Sequence, residues 1–275
     1  MTENTDRQQI VHRDIDFGID DTLPKHWLDN CPHRTHFLNA LSITFPEGER
    51  FFIRSVHRFA HKAEDSQLKA DVKAFTQQEA MHGREHQNLN DVLERQGYPV
   101  QRVEASATRD LRRLEKYTPP LFRLAVTACL EHYTALLAEV LLKDDSLLKN
   151  AEPRMQKMWQ WHAIEESEHK AVAYDIYQLA AKSKWQAWWV RCFAMFHVTL
   201  RFFFKILTFY IWFLKEDKQL WKPKGWLVAW WFLFGKPGPL RKIIPGYLAW
   251  YKPGFHPLNR DTSNLLARYL EELAN

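Results

Sequence analysis

The sequence predicts an all-α protein whose centre is a bundle of four long helices. Only nine of its 275 residues are glycine, and its prolines cluster at the joints between apolar segments. Long stretches without turn residues favour helices over a turn-rich β fold. Four segments show apolar residues at helical spacing, and a chain of this length can bury a sizeable core around them.

The starts and stops of these segments divide the chain into three parts. The second predicted helix ends at Gly97, with Pro99 just beyond, and the third follows Thr118 and two prolines, which is typical of a helix start. The predicted helices cover residues 46–65, 66–96, 119–143 and 153–182, with 97–117 as a connector that has room for a short helix. We therefore expect an irregular lead-in (1–45), a four-helix bundle (46–183) and a C-terminal helical region (184–275).

Glutamate and histidine recur at helical spacing in these segments. The pattern Glu-x-x-His occurs as Glu79 and His82, and again as Glu166 and His169. His162 precedes Glu166 by four residues, so on a helix it shares a face with Glu166 and His169. Lone glutamates stand in the other two helices, and one of them lies in a mostly apolar segment where an unpaired carboxylate is costly to bury.

One Glu from each of two helices and a Glu-x-x-His from each of two others form the ligand inventory of a ferritin-like bundle that holds two metal ions. Four carboxylates balance two divalent ions, and oxygen and nitrogen ligands without thiolates suit iron, with manganese or zinc as alternatives. In this prediction Glu79 and Glu166 bridge two iron ions. The full predicted ligand set is Glu49, Glu79, His82, Glu131, His162, Glu166 and His169.

Some nearby residues leave alternatives open. Glu47 could replace Glu49, and Glu165 could replace Glu166, although only Glu166 fits both histidine spacings. His86 is either an outer partner of the ligands or, as we favour, an ordinary polar-face residue. For other neighbours we favour surface or packing roles over electron transfer or ligation: these are His57, His61, Tyr133 and Trp161. Cys129, two residues before Glu131, should point away from the site.

The C-terminal third differs in character from the rest. Residues 181–260 hold 14 of the lysines and arginines but only two acids, together with nine of the 12 tryptophans. A helical wheel drawn for residues 188–215 predicts an amphipathic helix that lies flat on a membrane interface. Its basic stripe would be Arg191, His197, Arg201, Lys205 and Lys215, opposite an inserted face of Trp189, Phe203, Ile206 and Phe213. Packing of this region on the bundle is the alternative.

Composition narrows the partners and the compartment. Three scattered cysteines without a Cys-x-x-Cys pair predict neither a disulfide framework nor a thiolate zinc site and fit a reducing compartment. The polar N-terminus has no apolar core of a signal peptide. We expect a cytoplasmic protein with peripheral contact to the inner face of the membrane. Nothing resembles a nucleic-acid-binding module, and a homo-oligomer is left open.

Four motifs carry a resemblance to a known family. The segments FPEGERFF, QEAMHGREH, WHAIEESEH and YKPGFHPLN resemble a bacterial family of predicted metal-dependent hydrolases over about residues 40–260. The ligand pattern is also similar to that of the di-iron arylamine N-oxygenases, which use four glutamates and three histidines. The first resemblance implies a hydrolase and the second an oxygen-activating enzyme, and neither names a substrate.

These observations lead to three functional hypotheses. The preferred one is a non-haem di-iron oxygenase or oxidase that acts on a small hydrophobic substrate with an electron donor that the sequence does not identify. The second is a hydrolase with two metal ions, in which the metals activate water. The third is a non-catalytic, membrane-associated helical protein with structural carboxylates.

Overall fold

The computed structural model describes residues 9–274, and the side chains of residues 9–270. The regular structure in this part of the chain is helical, with no β-strand and only an isolated bridge between Leu28 and Ala151. The predicted all-α class is therefore confirmed. The α-helices are α1 (Pro32–Ser42), α2 (Phe45–His57), α3 (Ser66–Arg95), α4 (Val100–Tyr117), α5 (Pro120–Lys143), α6 (Pro153–His169), α7 (Val172–Ala180), α8 (Lys184–Glu216), α9 (Pro223–Trp230), α10 (Pro239–Lys242), α11 (Ile244–Ala249) and α12 (Ser263–Ala274).

The four helices predicted to carry ligands pack on one another. α2 contacts α3 and α5, and α6 contacts the same two helices. Their starts are fixed by local chemistry: the Asp65 side chain caps α3 through the Leu68 amide at 2.8 Å, and Glu152 caps α6 through the Arg154 amide at 2.9 Å. Pro120 stands in the first turn of α5, where a missing N–H costs nothing.

Buried apolar residues form two clusters, one toward each end of these helices. Along α3, residues 68–75 belong to one cluster and residues 89–93 to the other, and α5 is divided in the same way between residues 124–129 and 136–142. The turns between these stretches carry buried polar residues instead, at positions 78–86 of α3 and at Glu131 of α5. A polar layer thus lies between two apolar ones, which is where the predicted ligands fall.

Three features of the backbone differ from the expectation. Residues 32–42 form α1 inside the predicted irregular lead-in; the helix buries polar side chains such as His36 and Asn39, so it lacks an amphipathic signal. The connector contains an 18-residue helix, α4. The predicted fourth helix is broken between α6 and α7, where Lys170 bonds to the carbonyl of Arg260 at 2.6 Å. Residues 1–8, which belong to the predicted lead-in, and residue 275 lie outside the described residues.

The long helix α8 packs against α5 and α1 along one face. The predicted basic stripe is wrong for Arg191, which is 2% exposed and donates to the carbonyls of Trp250 and Lys252. The predicted inserted face is also wrong in part, because Ile206 and Phe213 are buried in the core. The charge of Arg191 is satisfied by backbone carbonyls, a contact that helical periodicity does not reveal.

Among the described residues, two helices are long and apolar enough to cross a membrane, α5 and α8. The most apolar window of α5 is 72% buried inside the protein, as expected of a core helix, whereas that of α8 is only 33% buried. Length and composition alone are weak evidence for a membrane span.

Candidate metal centre

The structure brings all seven predicted ligands into the polar layer. They come from α2, α3, α5 and α6, and each is at most 4% exposed. Glu49 is supplied by α2, Glu131 by α5 and the two Glu-x-x-His pairs by α3 and α6. The polar turns of these packed helices lie at the same level, between the two apolar clusters.

The ligand atoms of these residues lie close together. His169 Nε2 is 3.3 Å from Glu79 Oε1 and 3.3 Å from Glu131 Oε2. His162 Nε2 is 3.0 Å from Glu166 Oε1, and the other oxygen of Glu166 is 3.5 Å from His169 Nε2. Glu166 therefore lies between the two histidines of α6, and Glu79 lies in the same way between His82 and His169.

Three overlapping groups of this cluster have ligand atoms within 4.8 Å of one another. They are Glu79, Glu166 and His169; His82, His162 and Glu166; and Glu49, His86 and His162. The favoured interpretation of His86 as a polar-face residue is wrong, because its ring is fully buried beside His162. The spacing of Glu79, His82 and His86, at i, i+3 and i+7, was the signal that they share a face.

Many polar atoms of the centre have no hydrogen-bond partner among the described residues. They include both carboxylate oxygens of Glu49, Glu79 and Glu131, both ring nitrogens of His82 and Nε2 of His169. An unsatisfied buried polar atom costs roughly 1–3 kcal/mol, and more when it is charged. Several such atoms that converge on one space fit metal ions, which accept lone pairs from carboxylate and imidazole.

The same crowding perturbs the acid–base behaviour of the cluster. Burial, together with the carboxylates of Glu79 and Glu166, raises the pKa of Glu131 to about 8. Burial also raises the pKa of Glu49 well above its ordinary value. Burial opposes protonation of His82, but Glu165 and Glu79 outweigh it and raise the pKa of that imidazole to about 10. Without cations, the cluster retains protons in order to reduce repulsion between its carboxylates.

Two of the three histidines are oriented by a hydrogen bond on the nitrogen that faces away from the cluster. His169 Nδ1 donates to Gln78 Oε1 at 2.8 Å, which leaves Nε2 facing Glu79 and Glu131. His162 Nδ1 lies 2.8 Å from His86 Nε2, and the far side of His86 bonds to Ser42 at 2.7 Å. Such outer partners fix the ring orientation of metal-binding histidines.

The third histidine is backed by Glu165. His82 Nε2 is 3.1 Å from Glu165 Oε2, so His82 Nδ1 faces Glu79 and Glu166. Glu165 in turn accepts from the Trp161 indole at 2.9 Å and from Arg13 at 3.1 Å. Of the two adjacent glutamates, the structure thus places Glu166 inside the cluster and Glu165 behind it.

An N-terminal segment that sequence reasoning missed closes this outer side. Arg13 pairs with Glu168 at 2.6 Å as well as with Glu165. The carbonyl of Val11 accepts from Gln78 at 2.9 Å. The segment WHAIEESEH contains several acids but no Arg or Lys before Lys170. This excess of negative charge was the one sequence signal that a cation from a distant part of the chain is needed beside α6.

Gly83 permits the close approach of α2 to α3. A Cβ at this position would lie 3.0 Å from Glu49 Oε2 and 3.9 Å from the Pro46 Cα. The absence of a side chain therefore creates the space into which the Glu49 carboxylate fits.

The remaining candidates lie away from the cluster. Glu47 pairs with Arg50 at 2.8 Å on the surface, and His57 and His61 are exposed. Tyr133 bonds to Thr199 of α8 at 2.8 Å, and the Cys129 sulfur lies 3.7 Å from the carbonyl of Arg191. These placements agree with the preferred packing and surface roles.

A small apolar pocket of about 50 Å³ reaches the cluster at His162 and Glu166. Its walls are mainly aliphatic and aromatic side chains of α1, α2, α5 and α6, and Phe232 and Pro239 of the C-terminal region complete it. Prominent wall residues are Phe37, Leu41, Phe45, Leu137, Leu141 and Trp159. The walls offer a path to the centre for an apolar group.

A second group of metal-ligand residues lies elsewhere: His26, His36 and Asp217. Both imidazole Nε2 atoms are 2.6 Å from Asp217 Oδ2, and the Tyr98 hydroxyl donates to the same carboxylate at 3.0 Å. The carboxylate is satisfied by protein donors, so this group, here called the Asp217 node, is a hydrogen-bonded tie between the segment before α1, α1 and the end of α8.

The fold and the main cluster define an all-helical protein with a buried Glu/His centre suited to metal ions. The chain belongs to the family described as predicted metal-dependent hydrolase, which matches residues 11–261. The resemblance of the sequence to the predicted metal-dependent hydrolases is thereby confirmed. No curated protein and no solved structure matches the chain.

Proposed function

We propose that this protein is a metal-dependent hydrolase whose buried Glu/His centre holds two divalent metal ions in a ferritin-like arrangement of α2, α3, α5 and α6. The unsatisfied ligand atoms of the centre carry the proposal, and membership of the hydrolase family supports the reaction class. The hydrolase, the second hypothesis from the sequence, thereby takes precedence over the oxygenase, which nothing in the family match supports.

The seven residues divide into two half-sites joined by two glutamates. Glu49, His82 and His162 would hold one ion, and Glu131 and His169 the other. Glu79 and Glu166 each lie near histidines of both half-sites and would bridge them. When bound, the ions supply Lewis-acid activation of water and of the bond to be cleaved.

The protein residues around the ligands maintain that arrangement. The Thr134 hydroxyl donates to Glu166. Gln78 and His86 each bond one imidazole, and Glu165 lies 3.1 Å from the third. Four carboxylates offset the charge of two divalent ions, so the loaded centre can be buried without a net charge. The apolar clusters on either side exclude bulk water from it.

The pocket at His162 and Glu166 supports an apolar substrate. Its volume of about 50 Å³ is far below the roughly 300 Å³ or more of ordinary ligand pockets. A slender acyl or alkyl chain fits such a slot, whereas a ring system needs the walls to move. An ester or amide with a linear apolar chain is therefore the proposed substrate class.

The composition of the ligand set favours one further candidate, a di-iron oxygenase or oxidase. The centre combines four carboxylates with three imidazoles, and its ligand groups include no cysteine. Hard oxygen and nitrogen ligands of this kind suit iron. Iron is the metal we propose for this alternative; zinc or manganese would serve the hydrolase equally well.

One experiment separates these functions. Protein purified with zinc, manganese or iron is assayed against p-nitrophenyl esters of increasing acyl length, with and without oxygen, and its metal content is measured. We expect about two ions per chain and hydrolysis that persists without oxygen. Turnover that requires both iron and oxygen would establish the oxygenase instead, and a chain free of stoichiometric metal would leave only a structural role for the cluster.

The pocket offers an internal control for substrate binding. Ala138 lies in its wall and is 4% exposed. Ala138→Leu narrows the slot and should move the preference toward shorter acyl chains without changing the metal content. An unchanged chain-length profile would show that substrate enters elsewhere.

A further inference from the structure

The outer face of α8 is covered with aromatic side chains that the protein itself does not bury. Six of them are between 52% and 68% exposed: Trp185, Trp189, Phe193, Phe196, Phe203 and Phe204. At 100° per residue they fall largely on one side of the helix, opposite buried residues such as Ala194 and Phe209. The stripe runs for roughly 28 Å at 1.5 Å per residue.

Helix α4 flanks the C-terminal end of this stripe, at Lys205 and Trp212 of α8. Lys205 of α8 bonds to Asp110 at 2.5 Å, and the Arg102 guanidinium stacks 4.0 Å from the centre of the Trp212 ring. These contacts fix the surface of α4 next to that of α8.

The exposed side of α4 carries cations without acidic partners. Arg109, Arg112 and Arg113 line an open groove of about 560 Å³, and none of them forms an ion pair with another described residue. The acids of the same helix are occupied, since Asp110 pairs with Lys205 and Glu115 with Arg54 at 2.9 Å, and Glu104 accepts from Asn90 at 3.1 Å. The flank therefore keeps an uncompensated positive charge beside an apolar stripe.

We propose that the stripe of α8 and the arginine groove of α4 together form a docking surface for an anionic lipid bilayer. Aromatic side chains at the level of the headgroups and arginines beside them are the features of an interfacial helix. Anionic headgroups supply the charge that the groove lacks.

The helix lies in the plane of the bilayer in this arrangement. Its inner face is buried against α5 and α1 along its length, from Ala187 to Phe213. Insertion across the bilayer would break those contacts and expose the hydrogen bonds of Arg191. The stripe alone is therefore immersed, to a depth of roughly 5–10 Å.

A second copy of the chain fits this surface less well. A two-fold contact places the same patch on both sides, so the arginines of one copy would meet those of the other without a carboxylate between them. Like charges brought together at an interface oppose association. An anionic bilayer has the opposite charge and needs no matching shape.

The proposal does not depend on the reaction that the metal centre performs. It is tested by co-sedimentation of the full chain with phosphatidylcholine vesicles that contain about one third phosphatidylglycerol, and with pure phosphatidylcholine vesicles. We expect at least tenfold tighter binding to the anionic vesicles, and weaker binding at high salt.

Two double variants dissect the surface. Arg109→Glu with Arg113→Glu should weaken binding to anionic vesicles by tenfold or more. The matched control is Lys149→Glu with Lys157→Glu, which makes the same change of net charge at exposed sites elsewhere and should weaken binding much less. Phe196→Ser with Phe203→Ser should also weaken vesicle binding by tenfold or more. Metal content and thermal unfolding should remain those of the wild type in every case.

Several results would overturn the proposal. Failure of the wild-type protein to bind anionic vesicles at low salt would contradict the proposal directly. Equal loss of vesicle binding in the arginine variant and in its lysine control would show that only the net charge matters, not the position of the arginines. A dimer in sedimentation that Phe196→Ser with Phe203→Ser converts to monomer, without vesicle binding, would assign the stripe to self-association. Single-stranded DNA that binds as tightly as the vesicles and needs only the arginines would assign the groove to polyanions in general.

Discussion

The described part of the chain holds two clusters of histidine and carboxylate, and they differ in how their polar atoms are satisfied. In the Asp217 node, the carboxylate accepts hydrogen bonds from His26, His36 and Tyr98. In the Glu/His centre, three of the four glutamates have no hydrogen-bond partner on either oxygen. Both clusters contain residue types that bind metals, but only the second leaves lone pairs without a donor.

The electrostatics of the two clusters differ in the same way. Burial acts to raise the pKa of Asp217, but hydrogen bonds from His36 and His26 outweigh it and hold that pKa well below its ordinary value. The pKa of Glu131 moves in the opposite direction, because burial raises it and its neighbours include other carboxylates. Residue identity therefore says less about a metal site than the balance of donors and acceptors around it.

The largest expected difference between the clusters is in metal content. Glu166→Ala removes a carboxylate that lies between both half-sites, so at least one of the two proposed ions should be lost, together with activity. Asp217→Asn should keep the full metal content but lower the free energy of unfolding by roughly 1–3 kcal/mol, because a charged acceptor is lost. Elemental analysis and chemical denaturation measure the two quantities. Equal metal loss in both variants would contradict the proposal that the Glu/His centre binds metal and the Asp217 node does not.

A smaller effect is expected from the amide side chains that hold a histidine in each cluster. Gln78→Met removes the acceptor for His169 Nδ1 and should weaken metal binding about 10–100-fold. The matched variant, Asn39→Leu, removes the amide beside His36 and should leave metal affinity unchanged while reducing stability. Competition with a chromophoric chelator gives both affinities. Similar affinities for wild type and Gln78→Met would remove Gln78 from the support of the centre.

The smallest expected difference concerns pH. The folded-state pKa values of Glu131, about 8, and of His82, about 10, are both raised. At these two groups the folded metal-free protein therefore binds more protons than the unfolded chain, and their contribution to stability falls as pH rises between about 6 and 9. The depressed pKa of Asp217 adds no slope in this window, because that group is ionised in both states there.

Metal ions bind the deprotonated ligands, so they should remove this loss of stability. The gain in unfolding temperature on adding metal should thus be larger at pH 8.5 than at pH 6. Thermal unfolding with excess metal and with a chelator measures the gain at each pH. A gain that is constant or smaller at the higher pH would contradict the protonation of Glu131 and His82 in the metal-free state.

Residues whose role follows from helical spacing could be predicted from the sequence. Glu166 was preferred to Glu165 because it fits both histidine spacings, and the structure places Glu166 in the cluster and Glu165 behind His82. Glu49 was preferred to Glu47, and the structure buries Glu49 while Glu47 stays near the surface. That these residues bind metal stays a prediction.

Residues whose role depends on distant contacts could not be predicted in this way. Arg191 fits a basic stripe by periodicity, yet it is buried because carbonyls 59 and 61 residues away accept its hydrogen bonds. The break after His169 has no glycine or proline to mark it and coincides with a contact of Lys170 to residue 260. The ferritin-like arrangement and the division into three parts likewise remain predictions.

The ion pairs of Arg13 with Glu165 and Glu168 also constrain the order in which the parts of the centre can form. The partners of Arg13 lie 152 and 155 residues later in the chain. A ribosome therefore releases Arg13 long before it makes either acid, and the segment around Val11 must wait through the synthesis of five helices. The outer support of His82 is among the last parts of the centre to form, so metal ions that arrive during translation meet a set of ligands that is still incomplete.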